Sequence, residues 1–240
     1  MVITVARGKV YCNFSSDNNV LSAMEGVLIS CGCWMRMMLI FTRGALAMLA
    51  LLGASSISFG APNLNETVQA KLSMEAKDIR GRGHRPFQLD DGAKASVLFF
   101  VTHDCPVTNK YSREIQRIAA EYKKHKIKSC LVYVDPDMTL KDVAKHIKDF
   151  GHDDLTAFLD KRHELVKATG AEVTPEAVVV VGKGVIAYRG RIDNFYKELG
   201  VGRKQVTKRE LREALDAILK GEKVSVPRAK AVGCFIPPLE

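Results

Sequence analysis

The sequence predicts an α/β protein: a mixed central sheet flanked by helices, finished by a hairpin, a last helix and an extended tail. Three observations carry this. Short apolar runs rich in β-branched and aromatic residues, such as SVLFFVT (96–102), alternate with longer stretches of helical periodicity. Such alternation makes the early strands parallel, with helices on both faces. Later, EAVVVVGKGVIAYRGRI reads as two strands joined at Lys183-Gly184, a hairpin signal that adds antiparallel strands.

Residues 62–80 are polar and mixed, a leader or short helix, and loop material follows with a short strand near Phe87 to Leu89. After the strand 96–102, a helix runs from Pro106 to about Lys124, with Tyr111, Ile115, Ile118, Ala119 and Tyr122 at helical spacing. IKSCLVYVD (127–135) is the second strand. The next helix is capped by Thr139 and ends before Gly151. LTAFLD (155–160) is a third strand, and KRHELVKATG a short helix closed by Gly170. The last helix opens with Thr207 and Glu210 as a capping box and stops at Gly221, before a proline-broken tail.

With 240 residues the chain is long enough for one domain with extensions. An apolar fraction of 47% and a charged fraction of 26% are those of a globular protein. The net charge of +9 is spread over helices rather than gathered in one arm, and no aromatic-basic interleaving accompanies it. A solvated basic face explains it, and no nucleic-acid partner is expected.

Residues 35–61 have the grammar of a signal peptide: Arg36 and Arg43, the apolar stretch ALAMLALLGA, then small residues. That stretch is shorter than the roughly 20 residues a spanning helix needs. The expected organisation is an extension over 1–34, a signal peptide or anchor over 35–61, a leader over 62–83, a domain over 84–221 and a tail over 222–240. Membrane attachment, if any, runs through residues 37–60. Cleavage near Gly60 or Ala61 leaves only Cys105, Cys130 and Cys234 of the six cysteines, in an exported, periplasmic or extracytoplasmic setting where disulfides persist. No cysteine spacing suggests zinc. His84, His125, His146, His152 and His163 share no spacing and read as solvated residues, so no metal site is expected.

The chemistry concentrates in SVLFFVTHDCPVTNKY (96–111), where a strand ends in a cysteine and a proline opens the helix. A helix N-terminus presents unpaired N–H groups and the positive end of the dipole, and both favour a thiolate, the reactive form. Pro106 suits the first helical position because it has no N–H to leave unpaired. Asp104 opposes ionisation of Cys105, and a protonated His103 offsets it. The bland alternative is a small apolar residue closing a strand.

Five motifs in order carry a family resemblance: Asp104-Cys105-Pro106, Asn109 to Tyr111, Thr174 to Ala177, Tyr188 to Asp193, and Gly233-Cys234. Together they resemble the exported redoxins, thioredoxin-fold relatives of alkyl hydroperoxide reductase-type proteins, over about residues 84–221. The resemblance implies a thioredoxin-like fold and an antioxidant, thiol-disulfide oxidoreductase activity without an organic cofactor. Its partner is a protein or small-molecule thiol or disulfide. Cys105 is the implied nucleophile. Pro175 is the implied cis-proline facing it, with Thr174, Pro106 and His103 beside the substrate.

Thr108 departs from the thioredoxin pattern, which has a second cysteine there. Resolution then falls to Cys234 from the tail, to Cys130 in the second strand, or to an external thiol; Cys234 is preferred, because Cys130 is expected to be buried and inert. A thiol peroxidase is the competing enzyme. Thr102 fits its register, but Leu98 stands where its proline belongs, and Glu176 stands near the place of its arginine. Arg189 and Arg191 would substitute only in an unusual geometry. A non-catalytic binding module with a structural Cys105–Cys234 bridge is the third reading. Arg189, Arg191 and Asp193 are expected to pair locally and fix the loop after the hairpin.

Overall fold

A computed structural model describes residues 2–6, 9–13 and 71–239 of the chain. The segments Val2–Ala6 (β1) and Lys9–Asn13 (β2) form an antiparallel hairpin within the unit Met1–Ser58. The expected signal peptide and the attachment segment 37–60 lie outside the described residues. Among the described residues, no helix is long and apolar enough to cross a membrane.

The second unit, Phe59–Glu240, is built on a six-stranded sheet. Its centre is Ala95–Val101 (β5), where every residue is buried. A strand covered on both faces needs a continuous apolar run instead of alternation. Val97, Phe99 and Val101 belong to one core cluster, Leu98 and Phe100 to the other. Helix α1 (Pro106–Lys123) returns the chain so that Ile127–Tyr133 (β6) pairs parallel with β5. Helix α2 (Leu140–Phe150) leads to Thr156–Leu159 (β7), parallel to β6. Thr139 caps α2 in a capping box with Asp142, and Gly151 ends it in the left-handed region.

Past the short helix α3 (Glu164–Thr169) and the two-residue strand β8 (Val173–Thr174), Glu176–Val181 (β9) runs antiparallel to β5. Val185–Gly190 (β10) pairs antiparallel with β9. Helix α4 (Glu210–Lys220) then lays Leu211, Ala214 and Leu215 into the first cluster. The mixed α/β order expected from the sequence is therefore the order observed. The tail adds Arg228–Ala229 (β13), parallel to β10, and Cys234–Phe235 (β14), antiparallel to β8. Two small antiparallel pairs stand apart from this sheet, Ala76–Lys77 (β3) with Gly83–His84 (β4), and Tyr196–Glu198 (β11) with Val201–Gly202 (β12).

Several local expectations are corrected. The short strand is at Gly83–His84, not near Phe87 to Leu89; Phe87 is a fully buried loop residue of the second cluster. Thr207 does not cap α4. Its N–H donates to Asn194 Oδ1 at 2.9 Å and its hydroxyl accepts from Asn194 Nδ2 at 2.7 Å, so the helix starts three residues later. His146, His152 and His163 are buried rather than solvated. Arg189 and Arg191 do not pair with Asp193: Arg189 reaches Glu172 at 3.0 Å and Glu176 at 3.6 Å, and Arg191 binds Glu210 on α4. Asp193 instead accepts from the Tyr111 hydroxyl at 2.5 Å. For Thr207, Arg189 and Arg191 a partner distant in sequence displaces the expected local one.

Candidate functional site

Strand β5 ends at Val101, and four residues later Cys105 takes the N-cap position of α1 in an extended conformation. Its carbonyl accepts the first helical bond, from the Asn109 N–H at 3.0 Å. Pro106 holds the first helical position, where a missing N–H costs nothing. The Cys105 sulfur is turned inward and only 1% of the residue is exposed, whereas His103, Asp104 and Pro106 are exposed.

Two other parts of the chain meet this sulfur. The first is the β8–β9 junction, where the Thr174-Pro175 peptide is cis and both residues are buried. The Cys105 thiol donates to the Thr174 carbonyl at 3.2 Å. The Thr174 hydroxyl lies 3.1 Å from that of Thr102, which ties the end of β5 to the junction. The second is the tail. Strand β14 pairs Cys234 with Thr174 and Phe235 with Val173, and the Cys234 sulfur comes to 2.6 Å from that of Cys105. Of the three cysteines downstream of residue 61, the structure thus brings two together and leaves Cys130 apart in β6.

The two sulfurs are electrostatically unlike. Burial raises Cys105, but hydrogen bonds from the Cys234 thiol, the Thr108 and Cys234 N–H groups and the Thr108 hydroxyl outweigh it, and the thiol ends below its ordinary value. The Thr108 hydroxyl is buried and has no hydrogen-bond partner other than the sulfur beside it. Cys234 is pushed up to about 12, first by burial, then by its bond to Cys105, the Cys105 charge and the Asp104 charge. Asp104 therefore acts on the tail cysteine. His103 faces Asp135, 3.8 Å away, rather than the sulfur. His103, Asp104 and Asp135 hold their ligand atoms within 4.8 Å of one another on the surface, an open trio with no buried donor aimed into it.

The remaining motif residues brace this arrangement. Arg189 binds Glu172 and Glu176, one on each side of the Val173-Thr174-Pro175 turn. Glu176 also accepts from the Glu172 N–H at 2.8 Å, and burial raises its carboxyl. With Arg189 and Arg191 both committed to glutamates, neither is free to act beside Cys105. The Tyr111–Asp193 bond fastens α1 to the loop after β10.

A polar chain beneath α1 escaped the sequence reading. The Asn109 amide donates to the His103 carbonyl at 3.0 Å, and its oxygen lies 2.9 Å from His146 Nε2. His146 Nδ1 is 2.8 Å from the Tyr133 hydroxyl, and the His152 ring stacks on His146. Burial first, then the neighbouring histidine, lowers His146 to about 4, and burial lowers His152 to about 4. Only the helical spacing of His146 on α2 hinted at an inward face.

Comparison with known proteins places the chain. The family model described as Redoxin matches residues 72–199, more than half of the chain. A search of curated proteins gave no match. Among solved structures, a hypothetical protein from Sinorhizobium meliloti 1021 is 24% identical, with a TM-score of 0.58, covering 68% of this chain and 89% of that one. An uncharacterized conserved protein from Geobacillus kaustophilus is 23% identical, with a TM-score of 0.60, over 69% of this chain and 88% of that one. Both are similar to this chain in fold, and the mixed sheet flanked by helices seen here is that of a thioredoxin-like protein. The chain belongs to the redoxin family.

Proposed function

We propose that this redoxin is a thiol-disulfide oxidoreductase in which Cys105 is the nucleophile and Cys234 resolves. The observation that carries the reading is the contact at 2.6 Å between two sulfurs 129 residues apart, one held below and the other above the ordinary thiol range. An inert structural pair gains nothing from such asymmetry, whereas a nucleophile and a reserve thiol need it.

In the reducing direction, the Cys105 thiolate attacks one sulfur of a substrate disulfide. A Cys105–substrate bond forms, the substrate S–S bond breaks, and the other sulfur leaves as a thiolate. Loss of the Cys105 charge removes one of the causes that hold Cys234 protonated. Cys234 then gives up its proton and attacks Cys105, forming the Cys105–Cys234 disulfide and expelling the substrate thiolate. The substrate has gained two electrons and the protein has lost two. An external thiol restores the dithiol by the same exchange. Thr174 and Pro175 wall the sulfur, and Thr108 supports the thiolate in place of a second helix cysteine. A signal peptide over 35–61 would deliver residues 62–240 to a compartment where this disulfide persists.

The engagement of Arg189 and Arg191 argues against the peroxidase reading, since neither of these two arginines is free to hold a peroxide. The test equilibrates purified protein with glutathione couples, then alkylates and maps peptides. We expect a Cys105–Cys234 link that opens within the range of those couples. A link that stays closed at reducing potentials would make the pair a structural bridge in a binding module. Two free thiols after mild oxidation would remove Cys234 from the cycle.

A further inference from the structure

The tail does more than deliver a sulfur: it lies in the turn beside Cys105 as a β-strand. Cys234 and Phe235 pair with Thr174 and Val173, and the Ile236 N–H donates to the Glu172 carbonyl at 3.2 Å. Each position of this segment has its own surroundings. A side chain on Gly233 would put its first carbon 2.0 Å from the Thr174 carbonyl oxygen and 2.6 Å from its carbon, so only glycine fits there. Phe235 is 85% exposed, so the site asks nothing of that residue. Ile236 packs against the second core cluster, which holds Leu165 and Ala171. A second glycine lets the tail lie down: a side chain on Gly190 would meet the Ala229 oxygen at 2.0 Å.

We propose that the seat of β14 is the recognition groove for substrate. It takes an extended polypeptide with the pattern glycine, cysteine, any residue, aliphatic, and the chain's own Gly233-Cys234-Phe235-Ile236 competes for it. The backbone of Glu172 to Thr174 supplies the pairing, as in strand addition to an exposed edge. The glycine rule comes from a rigid backbone obstacle, which an added methyl cannot push aside as it could a side chain. The aliphatic position follows from the core surface under Ile236. Recognition and resolution then exclude each other: the substrate must lift β14 to enter, and β14 returns to release it. This inference rests on Cys105 as the nucleophile and adds which substrate it meets.

The test uses the full chain with Cys234→Ser, so that no tail thiol interferes, and short synthetic peptides whose cysteine carries a chromogenic aromatic thiol as a mixed disulfide. The Cys105 thiolate attacks the peptide sulfur, a Cys105–peptide bond forms, and the aromatic thiolate leaves with the electron pair and is read by its colour. Gly-Cys-Phe-Ile should react about tenfold or more faster than Ala-Cys-Phe-Ile, because overpacking of one methyl against fixed backbone is costly. Gly-Cys-Phe-Asp should also be slower. Adding Gly233→Ala should expel the tail, speed the Gly-Cys-Phe-Ile reaction about tenfold, and remove hydrogen-exchange protection at the Ile236 amide. If that double variant fails to fold, the peptide series on Cys234→Ser alone decides. Equal rates for the glycine and alanine peptides would overturn the groove and leave the oxidoreductase standing. No reaction with any peptide, while a small alkylating reagent still modifies Cys105, would take down both.

Discussion

Cys105 and Cys130 are both buried, at 1% and 7% exposure, yet their thiols move in opposite directions. Cys130 sits within β6 among the second cluster, and burial pushes it up to about 12. Cys105 sits at the start of α1 among the first cluster, and burial raises it too, but hydrogen bonds from the helix start and from Cys234 reverse the outcome. Burial by itself does not set reactivity. What differs is whether N–H and S–H donors converge on the sulfur, and in the middle of a strand the N–H groups are already spent on the sheet ladder.

The largest expected effect is on labelling. In reduced protein at neutral pH, a small alkylating reagent should modify Cys105 at least about a thousandfold faster than Cys130, because the thiolate does the attacking. Peptide mapping over a time course reads this, and comparable rates would erase the contrast between the two sites.

Acid should separate the two faces of the sheet next. His146 and His152 lie on the Cys105 side, bonded to or stacked near Tyr133 and Asn109, and both are lowered to about 4. An unfolded histidine titrates near about 6.5, so between the two values the unfolded chain binds more protons. The stabilisation is complete above about pH 6.5 and is lost as pH falls toward 4. A loss of about 2 kcal/mol for the pair is expected, after allowing for solvent screening. Denaturant melts across that range measure it. Replacing both histidines with phenylalanine should flatten the profile, and an unchanged profile would place the acid sensitivity elsewhere.

The smallest effect sharpens the comparison at one hydroxyl. Thr108→Val keeps the shape beside Cys105 but removes its O–H, and should raise the Cys105 thiol. The thiolate absorbance across a pH titration reports it. A drop in pKa instead would mean that the hydroxyl accepts from the thiol rather than donating to the thiolate.

Much of this was legible in the chain. The run 96–102 is continuous because β5 is covered on both faces, and the proline after Cys105 marks a helix start whatever lies around it. Thr139 and Gly151 bound α2 by local bonds alone, so the sequence located them. Thr207 looked equally good as a cap, and failed because Asn194, thirteen residues earlier, captured both its N–H and its hydroxyl. The Arg189 and Arg191 pairs failed for the same reason: charge patterns name the type of partner but not which one, and the nearest carboxylate in sequence was not the nearest in space.

Sequence by itself determined the order of strands and helices, the helix-end placement of Cys105 and the family pattern around it, because periodicity, capping and short motifs act over a few residues. Tertiary structure alone decided that the tail returns as a strand on Val173–Thr174 and that Gly233 must be glycine there, and it set the sulfur of Cys234, already preferred over Cys130 from the sequence, beside that of Cys105. Those facts depend on surfaces more than fifty residues apart in the chain. No local signal encodes which distant backbone a flexible segment will pair with once the core has closed.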